Sequence, residues 1–124
     1  MVREAAVKAV AQWFKADPET LPLLKDRARS DPDDDVRRAA LQELARKFKA
    51  DTETLPLLKD RARSDENWDV RQAAVQELVR GFKADPETLP LLRACIASAP
   101  PDTRSWRLDQ LKNLLRSRWP DEAA

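Results

Sequence analysis

Apolar residues fall along this chain in two alternating stripes, and the alternation itself recurs. Val36, Ala40, Leu44 and Phe48 stand four apart, with Leu41 beside them. That spacing puts them on one face of a helix. Asp35 is the expected N-cap, and Asp33 and Asp34 set negative charge against the positive end of the helix dipole. A second, shorter stripe follows in Leu55, Leu58 and Ala62. Pro18 and Pro86 stand where a first-turn proline is tolerated. Pro22, Pro56 and Pro90 constrain where the second helix starts. A helix begun at Asp17 would hold Pro22 in its interior and lose a hydrogen bond there. With Thr20 as the cap, Pro22 lies in the first turn and residues 17–19 form a turn, which is the preferred register. Ser30-Asp31-Pro32 then interrupts the chain before the next unit.

The pattern is a tandem repeat. Val2-Arg3-Glu4-Ala5-Ala6 returns as Val36-Arg37-Arg38-Ala39-Ala40 and as Val70-Arg71-Gln72-Ala73-Ala74. The run from Asp17 to Leu24 returns from Asp51 and from Asp85, with Thr52 as its one change. The period is 34 residues, giving units 2–35, 36–69 and 70–103, a partial closing unit 104–119 and a tail 120–124. No single unit can bury its own stripes, so the core must form between stacked units. The expected fold is one all-α domain over residues 1–124. It is a right-handed α-solenoid of three helix-turn-helix units plus a C-terminal capping helix.

Comparison of the copies sorts surface from core. Trp13 becomes Lys47 and then Gly81, so that position is expected to be exposed. Phe14 persists as Phe48 and Phe82, so that one is expected in the core. The third copy replaces a polar run by Ala94-Cys95-Ile96-Ala97-Ser98-Ala99. The closing segment, with Trp106, Leu108, Leu111, Leu114, Leu115 and Trp119, is the expected cover for it. The competing reading is an exposed apolar patch that grips a partner. Nothing resembling a cap precedes Val2, so the first unit should expose an edge shaped for a preceding unit. That edge suggests the last part of a longer or designed array, or self-association of two chains.

Composition narrows the chemistry. The chain has 23 basic and 22 acidic residues, a balance that leaves no overall attraction for nucleic acid or anionic membrane. A lone cysteine, Cys95, permits no internal disulfide. With no transmembrane-length segment and no signal-peptide core, a cytoplasmic protein without membrane contact is expected. There is no histidine and no Gly-rich phosphate loop, so no cofactor, metal or catalytic residue is expected. Asp31, Asp33 and Asp35 have the opening spacing of a calcium loop, as do Asp65, Asn67 and Asp69. Val36 and Val70 stand where such a loop needs glycine, and Gln42 and Gln76 where it needs glutamate, so capping is the better account.

The run Asp-Val-Arg-x-Ala-Ala-x-x-x-Leu at 35–44 and 69–78 resembles HEAT-like repeats. The resemblance covers roughly residues 2–119. It implies an Asp–Arg ladder between units, matched here by Asp35, Asp69, Arg3, Arg37 and Arg71, with Arg107 as a further rung. It also implies a concave face lined by the second helix of each unit. The Phe-Lys-Ala-Asp-Pro-Glu-Thr-Leu-Pro-Leu-Leu segment is similar to bacterial HEAT-like arrays found beside NACHT-type modules, which implies a sensing or partner-binding role. HEAT-like bilin lyases share the repeat, but no pigment-site signature accompanies it here. The Trp and Tyr signature of tetratricopeptide repeats, which share the period, is absent.

Two stripes on the second helices are the first candidates for a binding surface. One is Lys25, Lys59 and Arg93; the other is Arg29 and Arg63, flanked by Asp26 and Asp60. The alternative is a solvated face with local ion pairs. Trp68 replaces Asp34 and is a candidate anchor for a partner, or a cover for the linker. Protein recognition is the leading expectation. Nucleic-acid binding along the basic stripes, or a repeat with no ligand, are the alternatives.

Overall fold

The computed structural model describes residues 2–121, and side chains within 4–121. Seven helices follow one another: α1 (Val2–Trp13), α2 (Thr20–Ser30), α3 (Asp34–Lys47), α4 (Thr54–Ser64), α5 (Trp68–Gly81), α6 (Thr88–Ala97) and α7 (Ser105–Arg118). No strand occurs among the described residues.

Both helix starts depart in detail from expectation. Asp33, not Asp35, caps α3; its carboxylate accepts from the Asp35 backbone N–H at 2.8 Å. Asn67 does the same for α5, accepting from Asp69 at 2.8 Å and Val70 at 3.3 Å. The cap must lie in extended backbone, and both residues do. Thr20 is the first helical residue of α2 and not its cap. Its hydroxyl donates backward to the Phe14 carbonyl at 2.5 Å, and Thr54 and Thr88 repeat the bond to Phe48 and Phe82 at 2.7 Å. Each of these carbonyls, at the end of the helix before, also accepts the backbone N–H three residues on, so the hydroxyl adds a second bond there. Pro22 falls in the first turn of α2, where its missing N–H costs nothing.

The closest helix pairs are α2 with α3 and α4 with α5, joined by the short connections 31–33 and 65–67. The connections 14–19, 48–53 and 82–87 are longer, and the helices on either side of the first two touch far less. Stacking then makes two rows. α1, α3 and α5 lie side by side in close contact, whereas α2, α4 and α6 touch only lightly. A stack packed more tightly along one row curves toward that row. The inner face is therefore lined by α1, α3 and α5, not by α2, α4 and α6 as the resemblance had implied. The resemblance itself survives: α3 and α5 are the second helices of the tight hairpins, so only the phase of the unit shifts.

The core runs between the rows. Leu24, Val36, Leu41, Leu44, Leu58, Val70, Leu78 and Leu92 are fully or almost fully buried. Each such side chain contributes roughly 1.5–3 kcal/mol relative to exposure. At the C-terminal end α7 closes the stack: Leu111 is fully buried, and Leu114, Leu115 and Trp119 pack on the core. Cys95 lies buried in that core, while Ala94 and Ala97 stay exposed. At the other end Phe14 is 58 % exposed, contrary to its expected place in the core. Phe48 and Phe82 are partly buried because a preceding helix pair stands against them, and no described residues do so for Phe14.

Candidate partner-binding faces

The lysines of the outer row tie units together. Lys25 on α2 reaches the turn before α4, at 3.0 Å from Asp51 and 2.8 Å from Glu53. Lys59 on α4 reaches the turn before α6, at 2.7 Å from Asp85 and 3.3 Å from Glu87. The hydrogen bond to Glu53 raises the Lys25 pKa above its ordinary value, and the same contacts hold Asp51 and Glu53 below theirs. Arg29 stands 3.7 Å from Glu53, and Arg63 pairs with Glu87. Asp26 and Asp60 each pair with the arginine that follows them, Arg27 at 3.8 Å and Arg61 at 2.8 Å. Arg93, on α6, is exposed in the same column. Lys25, Lys59, Arg29 and Arg63 thus each lie against a carboxylate of the next unit, which cancels most of their field.

The arginine ladder exists, with different acids. Arg37 donates from Nε and Nη2 to the Asp65 carboxylate, at 3.0 and 3.1 Å, and from Nη1 to the Asp31 carbonyl at 2.8 Å. Both side chains are buried. Arg71 donates to the Asp65 carbonyl at 2.5 Å. Asp35 instead pairs within its own helix with Arg38, at 2.8 Å. Asp69 alone of the two expected acids takes an expected arginine, Arg107, which also meets Gln72. The reason is register: Asp65 ends α4 beside the start of α3, whereas Asp35, inside the first turn of α3, faces along its own helix and Asp69, inside the first turn of α5, faces α7. The side chain of Arg3 lies outside the described residues.

Trp68 is not a surface anchor. It is 6 % exposed, its indole N–H donates to the Cys95 carbonyl at 3.0 Å, and the Arg107 guanidinium covers its ring at 5.0 Å. It fills the junction of α5, α6 and α7. Burial also pushes the Cys95 thiol up to about 11, so it carries no thiolate near neutral pH. No cluster able to hold a metal ion occurs among the described residues. No described helix is long and apolar enough to cross a membrane.

On the inner face a groove of about 340 Å³ crosses the whole stack, with lining from α1, α3, α5 and α7. Lys8, Gln42, Gln76 and Gln110 form one side of it, spaced by the 34-residue period. Glu4, Arg38, Gln72 and Trp106 form a second column at the same period. Gln76 and Gln110 also line an adjoining cavity of about 530 Å³ between α5 and α7. Among the described residues, the side-chain amides of Gln42, Gln76 and Gln110 make no hydrogen bond with the protein. Each can both donate and accept. Trp106, which ends the second column, is 55 % exposed. The period that revealed the repeats also runs through these glutamines. In the sequence alone such amides, outside the apolar stripes, carry no signal until the inner row is known.

A stack of helical hairpins that share one core and close with a single helix is an α-solenoid. The sequence pattern of HEAT repeats matches residues 1–45 and 29–112, and the chain belongs to that family. HEAT repeats generally mediate protein–protein interaction or scaffolding, without chemistry of their own. No curated protein and no solved structure matches the chain.

Proposed function

We propose that this chain is a non-catalytic recognition module whose inner face takes up a segment of a partner protein. The observation that carries the reading is the row of Gln42, Gln76 and Gln110 along one groove, their amides unpaired within the described residues, beside exposed Trp106 at the end of the groove's second column. Amides that donate and accept complement peptide groups, and an aromatic anchor supplies apolar contact area. The resemblance to arrays beside NACHT-type modules supports a role as the sensing or partner-binding part of a larger bacterial cytoplasmic protein. The outer stripes are the weaker candidate for the contact, since Lys25 and Lys59 hold successive units together.

Affinity capture from a bacterial lysate tests this. The wild-type chain is compared with a Gln42→Ala/Gln76→Ala/Trp106→Ala variant and an Arg29→Glu/Arg63→Glu variant, each checked for helix content. A protein retained by wild type and lost with the first variant supports the inner face. Loss with the second variant alone moves the contact to the outer row. Capture of nucleic acid, with binding that falls steeply as salt rises, overturns the reading in favour of nucleic-acid recognition.

A further inference from the structure

Twice in this stack, the same kind of groove is filled by the same helix. The groove formed by α3, α4 and the turn between them receives α2, and the one formed by α5, α6 and their turn receives α4. α2 and α4 have one sequence, Thr-Leu-Pro-Leu-Leu-Lys-Asp-Arg-Ala-Arg-Ser. The seating is the same both times. The lysine meets an Asp and a Glu of the turn, and the second arginine of the run meets that Glu. Behind it Leu44 and Leu78, in equivalent positions, are buried.

The third groove of the set lies between α1 and α2, a cavity of about 190 Å³ lined by Val10, Phe14, Asp17, Glu19, Thr20 and Leu23. Every one of these residues has its counterpart, 34 residues on, in the filled groove: Leu44, Phe48, Asp51, Glu53, Thr54 and Leu57. Its Asp17 carboxylate is held toward the turn by the Glu19 backbone N–H at 2.8 Å, as Asp51 is by Glu53 at 3.1 Å. The acidic pair and the apolar floor are therefore already in place. Nothing described lies on them: Phe14 is largely exposed, and Ala6 is exposed where Ala40 and Ala74 are completely buried.

We propose that this groove is a docking site for an amphipathic helix of a partner protein, one that carries a Leu/Ala stripe with a lysine directly after the second of two adjacent leucines and an arginine four residues beyond the lysine. The charge follows from the turn, which offers two carboxylates to a basic helix. The apolar pattern follows from α2 and α4, which show what such a floor accepts. A helix seated in a groove through one apolar stripe is a common mode of peptide recognition. A second copy of this chain does not fit the requirement, because its own α2 and α4 are already seated and its far end is closed by α7. The site is separate from the inner groove, so it stands or falls independently of that reading.

The probe is a synthetic peptide with the α2 sequence, stapled between the positions of Pro22 and Asp26, which face solvent in α2. Stapling offsets the poor helicity of so short a segment. It is titrated into the full 15N-labelled chain. The expected result is saturable binding, with shifts centred on Val10, Phe14, Glu19 and Leu23. Phe14→Ala should weaken it at least fivefold. A peptide with its lysine changed to Glu should fail on wild type and recover on an Asp17→Asn/Glu19→Lys variant, which keeps the turn acceptor. Absent binding, shifts elsewhere, or equal affinity of both peptides for both chains would overturn the proposal. So would seating of the helix only when it is fused directly ahead of Val2, which makes the groove an intramolecular joint.

Discussion

At Asp65 one buried carboxylate accepts from Arg37 of the preceding unit and from the Asn67 backbone at 3.0 Å. Asp65→Ala leaves Arg37 charged and buried with the Asp31 carbonyl and, at 3.8 Å, the largely exposed Glu66 carboxylate. We expect a loss of about 3–5 kcal/mol in urea unfolding, typical of an orphaned buried charge. The Arg37→Met/Asp65→Leu pair should recover most of it, since the two charges also bear a desolvation cost together. Gly81 makes the opposite case. It ends α5 with ordinary backbone angles, and an added Cβ would meet only the Lys49 side chain, at 3.5 Å. Trp13 and Lys47 occupy the equivalent positions. Gly81→Ala should therefore stabilise the chain by roughly 0.5–1 kcal/mol, read in the same unfolding assay.

Among the elements, α7 has the clearest separate role. It replaces the face that a further unit would supply, through Leu111, Leu114, Leu115 and Trp119. Leu111→Ala should cost about 2–5 kcal/mol. Because Cys95 lies beneath α7, its labelling by a thiol reagent at pH 8 should be very slow in the native chain and at least tenfold faster in that variant. Much of this was legible beforehand. The 34-residue period, the seven helices and the closing function of 105–118 all follow from stripes and breakers. The cap of α3 is Asp33 and not Asp35, because Asp33, Asp34 and Asp35 offer three adjacent acids and only backbone geometry selects among them; that of α2 is Glu19, one residue before Thr20. The inner row lies on α1, α3 and α5, where the resemblance implies α2, α4 and α6. Sequence shows where units repeat, but the tight pairing of α2 with α3 depends on the lengths of connections seen in three dimensions. Trp68 misled for a related reason: a lone aromatic replacing an aspartate looks like surface until its junction is assembled.

For the whole molecule, stability is a sum over junctions, and the junctions are ionic at the rim and apolar inside. That sets the pH response. Asp51 and Glu53 are held below their usual carboxylate values by Lys25, so their contribution is full near neutrality and is lost as pH falls through those lowered values. Lys25 is raised above 10.5, so its contribution is full below that value and lost as pH rises through the raised one. Thermal melts should show a plateau between roughly pH 6 and 9 with a decline on both sides, the acid and alkaline limits following from ordinary side-chain values. Lys25→Gln should lower the plateau and flatten both declines. Unchanged curves would mean that the rim pairs contribute nothing measurable.

The shared sequence of α2 and α4 has a consequence for how the chain reaches this arrangement. The two identical eleven-residue stretches make the same contacts in their two seats, so those contacts alone do not order the helices; the three-residue connections 31–33 and 65–67 tie each stretch to the helix it packs on. What distinguishes them is the company each keeps. Only α4 is followed by Trp68, and only the end closed by α7 offers that indole a carbonyl acceptor and a covering guanidinium. The tryptophan serves as a key that one lock accepts. A chain threaded one unit out of step would leave the indole without that acceptor and that cover.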